Sequence, residues 1–160
     1  MPIKAGDRLP NAKFRVGTPE GPAWKTTDEI FKGKKVALFA VPGAFTSTCH
    51  KMHVPSIVQN AVAMKAKGVD TIAVTAVNDV FVMDAWKKAT AADSIEFLAD
   101  GNGEFAKALD LTFDGSGNGL GTRSRRYSML VEDGVVKKLN IEEAPGKVEV
   151  SGGDTLVKQL

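Results

Sequence analysis

The chain has one cysteine, Cys49, among its 160 residues. A single cysteine forbids an intramolecular disulfide. With only His50 and His53 beside it, neither a cysteine-rich zinc site nor a His/Cys metal cage is expected. No cofactor is expected either. Cys-x-x-Cys is absent, which counts against a thioredoxin-type disulfide reductase. An excess of charge is also missing. The 21 basic and 19 acidic residues leave a net charge of +2, far from the basic excess that marks a nucleic-acid partner. No apolar run approaches the roughly 18 residues of a membrane span. The first residues, Met1-Pro2-Ile3-Lys4-Ala5-Gly6-Asp7, carry no apolar signal region, so the expected location is cytoplasmic. Without an internal repeat, low-complexity tract or dividing linker, residues 1–160 read as one domain.

What is present is an ordinary core-forming composition with an α/β rhythm. Apolar runs alternate with segments of helical period. Lys35 to Val41 reads as a buried strand, stopped by Pro42-Gly43. Thr46-Ser47-Thr48-Cys49 are small residues of capping type that open a helix. Ile57, Val58, Ala61 and Met64 share its apolar face, and Lys65, Lys67 and Gly68 suit its end. Pro55 predicts a kink or break inside it. Val69 to Val77 is a second buried strand. Asn78-Asp79 then caps a helix with the apolar stripe Val82, Met83, Ala85 and Trp86. Ser94 to Leu98 is a short strand, and Phe105, Ala106 and Leu109 mark a short helix. The glycine-rich stretch Asp114 to Gly119 lacks the context of a phosphate loop and reads as a mobile surface connection. Arg126 to Val131 and Val135 to Ile141, joined by Glu132-Asp133-Gly134, form a hairpin. Leu156, Val157 and Leu160 suggest a closing helix. The sheet is expected to be mixed, parallel early and antiparallel late.

A lone cysteine is either a small buried hydrophobe or a reactive thiol. Cys49 follows a strand and a Pro-Gly turn and sits in the first turn of a helix. Free N–H groups and the helix dipole favour a thiolate there. Thr46, three residues earlier, either points its hydroxyl at the sulfur or caps the helix. Pro42 fixes the chain at the strand end, either as a turn former alone or also as a shield that keeps water from the sulfur and offers no donor. The cluster Arg123, Arg125 and Arg126 could supply a positive partner. Strand alternation sends Arg125 and Arg126 to opposite faces, and spacing does not say which faces the sulfur. His50 should point away from Cys49. His53, four residues on, can share its face and reads as a hydrogen-bonded support rather than a base.

The string Pro42-Gly43-Ala44-Phe45-Thr46-Ser47-Thr48-Cys49 resembles the peroxiredoxin motif Pro-x-x-x-Thr-x-x-Cys. Its continuation through Pro55 resembles the type II (peroxiredoxin 5) branch. So do Val77-Asn78-Asp79 with Val82 to Trp86, and Gly121 to Tyr127. The resemblance implies a thioredoxin-like α/β fold, a central mixed β-sheet flanked by helices, with an N-terminal extension and an insertion. It implies that Cys49 is the peroxidatic cysteine, oxidised by a hydroperoxide to sulfenic acid. Thr46 would orient thiolate and peroxide, Arg126 would stabilise both, and Pro42 would shield the pocket. The backbone N–H groups of Thr48 and Cys49 would hold the peroxide oxygen. Phe45 and Leu120 would make an apolar pocket mouth. Members of this branch often carry a resolving cysteine. It lies in the second strand, near Val74 here, or close to Val150-Ser151, and both are absent from this chain. An external thiol is therefore expected to resolve the sulfenic acid: glutathione with or without glutaredoxin, or thioredoxin. A homodimer is also expected from the family. Two other readings compete. One is a peroxide sensor that passes oxidation to a partner protein, and the other is a binding domain with an inert cysteine.

Overall fold

The computed structural model describes residues Met1 to Leu160. Seven strands form one mixed sheet. They are β1 (Lys13–Thr18), β2 (Gly21–Thr26), β3 (Lys35–Ala40), β4 (Thr71–Ala76), β5 (Glu96–Ala99), β8 (Tyr127–Glu132) and β9 (Val135–Ile141). Their order is β2-β1-β5-β4-β3-β8-β9. β3, β4 and β5 run parallel, and β1, β2, β8 and β9 pair antiparallel at the two sides. The short ribbon β6 (Thr112–Asp114) and β7 (Thr122–Ser124) stands apart. The hairpin at Asp133-Gly134 forms as expected, both residues having positive φ, as a tight two-residue turn requires. The β1–β2 hairpin, α1 (Thr27–Phe31) and the β6–β7 ribbon were not expected as elements from local pattern.

Alternation along β3 builds two cores. Ala37 and Phe39 face one side, under α2 (Val54–Ala66), α3 (Val80–Ala89) and α5 (Gly153–Lys158). Val36, Leu38 and Ala40 face the other, with α1 and α4 (Glu104–Ala108). The same alternation along β8 sends Tyr127, Met129 and Val131 to the second core and Leu130 to the first. Burial of this kind contributes roughly 1.5–3 kcal/mol for each large apolar side chain.

Several local expectations change on packing. In α3 the buried residues are Val80, Met83 and Trp86, while Ala85 is exposed. The face is set by the sheet beneath it. Asp79 caps that helix by accepting from Val82 N, as expected. Asn78 is used elsewhere: its Oδ1 accepts from Ala44 N at 2.8 Å. The glycine-rich stretch is not a plain connection. It forms a helical turn over Ser116–Asn118, and Gly115 N donates to Gly121 O at 2.7 Å.

Candidate active site

The break expected at Pro55 appears one turn earlier. Helical backbone begins at Ser47, then widens into a π-turn over Cys49–His53 before α2 starts. Val54 N donates to Cys49 O, five residues back. A proline ring clashes with the carbonyl four residues before it and has no N–H to offer. The wider turn accommodates both faults, so Pro55 sits in the first turn of α2 with the irregularity ahead of it. No side chain caps this helix. The Thr46 hydroxyl donates to Gly43 O at 2.7 Å, and the Thr48 hydroxyl donates to Gly146 O at 3.2 Å. The lone pairs of Thr46 Oγ1 remain available as acceptors. No hydrogen bond within the protein engages the N–H groups of Thr48 and Cys49.

Cys49 is fully buried. Its Sγ accepts from Arg126 Nη2 at 3.1 Å. Tyr127 opens β8 and faces the second core, so Arg126, one residue earlier, falls on the Cys49 side. Tyr127 pairs with Ala40 at the end of β3, which leads into the turn before Cys49. The antiparallel register therefore brings the start of β8 beside the start of the helix. Arg125 points elsewhere, with Nη2 donating to Glu142 O at 3.3 Å.

Arg126 is 2% exposed and has no carboxylate partner. Its Nε and Nη2 donate to Pro145 O at 3.0 and 2.9 Å, and its Nη1 meets His53 Nδ1 at 2.8 Å. His53 Nε2 lies 2.8 Å from Ser151 O, an atom that can only accept. The ring proton is thus on Nε2, and Nδ1 accepts from Arg126. Burial first, and the adjacent guanidinium second, hold the His53 pKa down to about 3. A buried cation surrounded by neutral acceptors favours an anion in contact with it. Cys49 is the contacting side chain that can become one. Chemically, this is a site for a stabilised thiolate.

Beside it lies a cavity of about 200 Å³ lined by Pro42, Thr46, Thr48, Phe113, Leu120 and Arg126, among others. Phe45 does not line it. Its ring stacks on His50, 5.7 Å between centroids, and its φ is +63°, a strained value for an aromatic residue. His50 does point away from the sulfur: its Nδ1 accepts from Trp86 Nε1 at 3.0 Å. Arg123, assigned no separate role from its place in the cluster, donates from Nη1 to Pro42 O at 3.1 Å and from Nε to Leu120 O at 2.9 Å. It ties Leu120, at the cavity, to Pro42 in the turn before Cys49. Asn78 and Pro145 were also missed. An Asn-Asp pair before a helix reads as a cap, and a carbonyl acceptor has no sequence signature.

The family model described as Redoxin matches residues 4–157. The chain is 45% identical over 99% of its length to "Peroxiredoxin-2E, chloroplastic" of Arabidopsis thaliana, of which it covers 69%. The chain belongs to the peroxiredoxins. It is also 44% identical to "Peroxiredoxin-2C" of Oryza sativa subsp. japonica, with 99% of each chain covered. Among solved structures, reduced Prx3 in complex with H2O2 from Vibrio vulnificus superposes with a TM-score of 0.94. Its identity is 49%, and 98% of each chain is covered. This peroxiredoxin is a single-cysteine member of the peroxiredoxin 5-like type, with the thioredoxin-like fold and thiol-dependent peroxidase activity of the family. No helix is long and apolar enough to cross a membrane. Chloroplastic and mitochondrial proteins stand among its relatives, so membership of the family does not carry the cytoplasmic expectation.

Proposed function

We propose that residues 1–160 act as one catalytic domain that reduces hydroperoxides through Cys49 and is regenerated by a thiol from another molecule. The contact that carries this reading is Arg126 Nη2 to Cys49 Sγ at 3.1 Å, in a site with no carboxylate to neutralise the guanidinium. The thiolate attacks one peroxide oxygen as the O–O bond breaks. Cys49 becomes sulfenic acid, and the other oxygen leaves, once protonated, as water or an alcohol. Arg126, the Thr46 hydroxyl oxygen and the N–H groups of Thr48 and Cys49 are the polar groups offered to the peroxide. Donors aimed at charge that develops during cleavage lower the barrier. Pro42 and Leu120 supply apolar wall.

Cys49 is the only cysteine, which supports an external reductant. Glutathione, with or without glutaredoxin, is the reductant we propose first, and thioredoxin second. The half-exposed Phe45 and the exposed Phe81 offer apolar surface to the second copy of a homodimer. A cytoplasmic location is likewise a proposal, tested by fractionation. The matched relatives are peroxiredoxins, which favours turnover over the sensor reading. The decisive assay follows peroxide consumption with glutathione/glutaredoxin and with thioredoxin systems. Wild type turns over with at least one of them, and Cys49→Ser does not. Activity surviving the substitution sinks the assignment.

A further inference from the structure

The segment after β9 contributes no side chain to the thiol, yet three of its carbonyl oxygens bear on the site. Pro145 O takes two hydrogen bonds from Arg126, Gly146 O takes the Thr48 hydroxyl, and Ser151 O takes the His53 Nε2–H. A loop that turns carbonyls inward must satisfy its own N–H groups elsewhere. Those of Glu149, Val150 and Ser151 converge on one atom, Glu142 Oε2, at 2.9, 2.8 and 2.7 Å. The Ser151 hydroxyl adds a fourth bond to the same oxygen at 2.6 Å.

Glu142 is 4% exposed and makes no ion pair. Desolvation is the largest influence on its carboxyl and acts upward. The Ser151 hydroxyl and the three N–H donors together outweigh it, leaving the carboxyl below its ordinary value. Its backbone also joins the site, because Glu142 N donates to Arg126 O at 3.0 Å. The residue that begins the loop therefore holds the residues that end it.

We infer that Glu142 is a positioning residue of the peroxidase site. Its carboxylate sets the backbone at 149–151 so that Ser151 O fixes the His53 tautomer, His53 orients Arg126, and Arg126 faces Cys49. An anionic oxygen suits four converging donors, whereas an amide offers a neutral, weaker acceptor. When the loop loosens, Nε2–H loses its acceptor and the imidazole is free to carry its proton on Nδ1. That N–H then opposes Arg126 Nη1–H, donor against donor, and the guanidinium leaves the sulfur.

The inference rests on Cys49 as the reacting thiol, and its test reads that thiol without peroxide as well as with it. Iodoacetamide alkylation of Cys49 is followed against pH, and peroxide oxidation by stopped flow, in Glu142→Gln, His53→Asn and the double variant. Glu142→Gln moves the alkylation midpoint up by about one pH unit and slows peroxide oxidation about tenfold. The double variant is no worse than His53→Asn alone, because both changes break one chain. An unchanged midpoint in Glu142→Gln overturns the inference, as do losses that multiply in the double variant. Should Glu142→Gln fail to fold, Ser151→Ala removes one of the four donors and leaves the backbone bonds. A raised midpoint there supports the inference, and an unchanged one overturns it. A wild type that alkylates normally but ignores peroxide would instead refute the peroxidase reading.

Discussion

Arg126 donates to Cys49 Sγ at 3.1 Å across 77 residues of sequence. Both side chains are buried, and no carboxylate competes for the guanidinium. Of the groups that charge touches, the sulfur is the one that can answer it as an anion, since His53 meets it as a neutral ring. Arg126→Gln should slow oxidation of Cys49 by hydrogen peroxide about a hundredfold, the scale of losing one preorganised donor. Arg125→Gln, whose parent side chain reaches only Glu142 O, should change it little. Stopped-flow rates for the two variants settle the matter, and equal losses refute the assignment of faces.

His53 makes stability depend on pH. Its pKa is about 3 in the folded protein against 6.5 for the free group. Between those values the unfolded chain binds a proton that the folded chain refuses. Stability therefore falls as pH drops below 6.5, by at most about 1.4 kcal/mol for each pH unit from this group. The window from pH 6.5 to 5 lies mostly above the range where Glu142, whose carboxyl is held below its ordinary value, adds its own loss. Denaturant titrations across that window should show a shallower slope in His53→Gln than in wild type. Identical slopes would mean that His53 accepts a proton in the native state.

Gly43 is packed against the second arginine. A Cβ built there lies 2.6 Å from Arg123 Nη1 and 3.1 Å from Thr46 Cγ2. The guanidinium is the flexible end of its side chain, and in giving way it moves off Pro42 O. Gly43→Ala should cost about 1–3 kcal/mol and slow peroxide oxidation. Its effect should shrink in an Arg123→Met background, where the clash is relieved. A neutral Gly43→Ala would show that Arg123 does not brace the turn.

Gly153 meets backbone rather than a movable tip. Its Cβ would lie 2.6 Å from Ser56 O and 3.0 Å from Ile57 Cα, where α5 crosses α2. Gly153→Ala should separate the two helices at a cost of about 1–3 kcal/mol. Calorimetry should record about 2–4 °C of lost Tm for each kcal/mol. An unaltered Tm would mean that α5 can shift without loss.

Much of this was legible locally. Pro-Gly after a buried run marked the end of β3, and Asp-Gly marked the β8–β9 hairpin, because such residues act on the backbone they occupy. Pro55 announced an irregularity, but not its form. Whether a helix kinks, breaks or widens depends on what its first turn must pack against. Ala85 was misread for a related reason: the sheet, not the helix, decides which stripe is buried. Phe45 was expected, with Leu120, at an apolar pocket mouth. Its positive φ turns it onto His50 instead.

Cys49 was singled out in the chain by its place at a strand-to-helix junction and by the motif it closes after Pro42 and Thr46, not by its solitude, which by itself favoured an inert buried thiol. With one cysteine in these 160 residues, no disulfide can close within them. Spacing left Arg125 and Arg126 open and the family resemblance named Arg126; the contact itself, and what holds that arginine, came only with the fold. Arg125 and Arg126 are neighbours with the same chemistry, and the pairing of β8 against β3 turns one toward the sulfur. His53, Pro145 and Ser151 join them through hydrogen bonds to carbonyl oxygens. Every residue carries such an oxygen, so only the folded backbone determines which of them meet a donor.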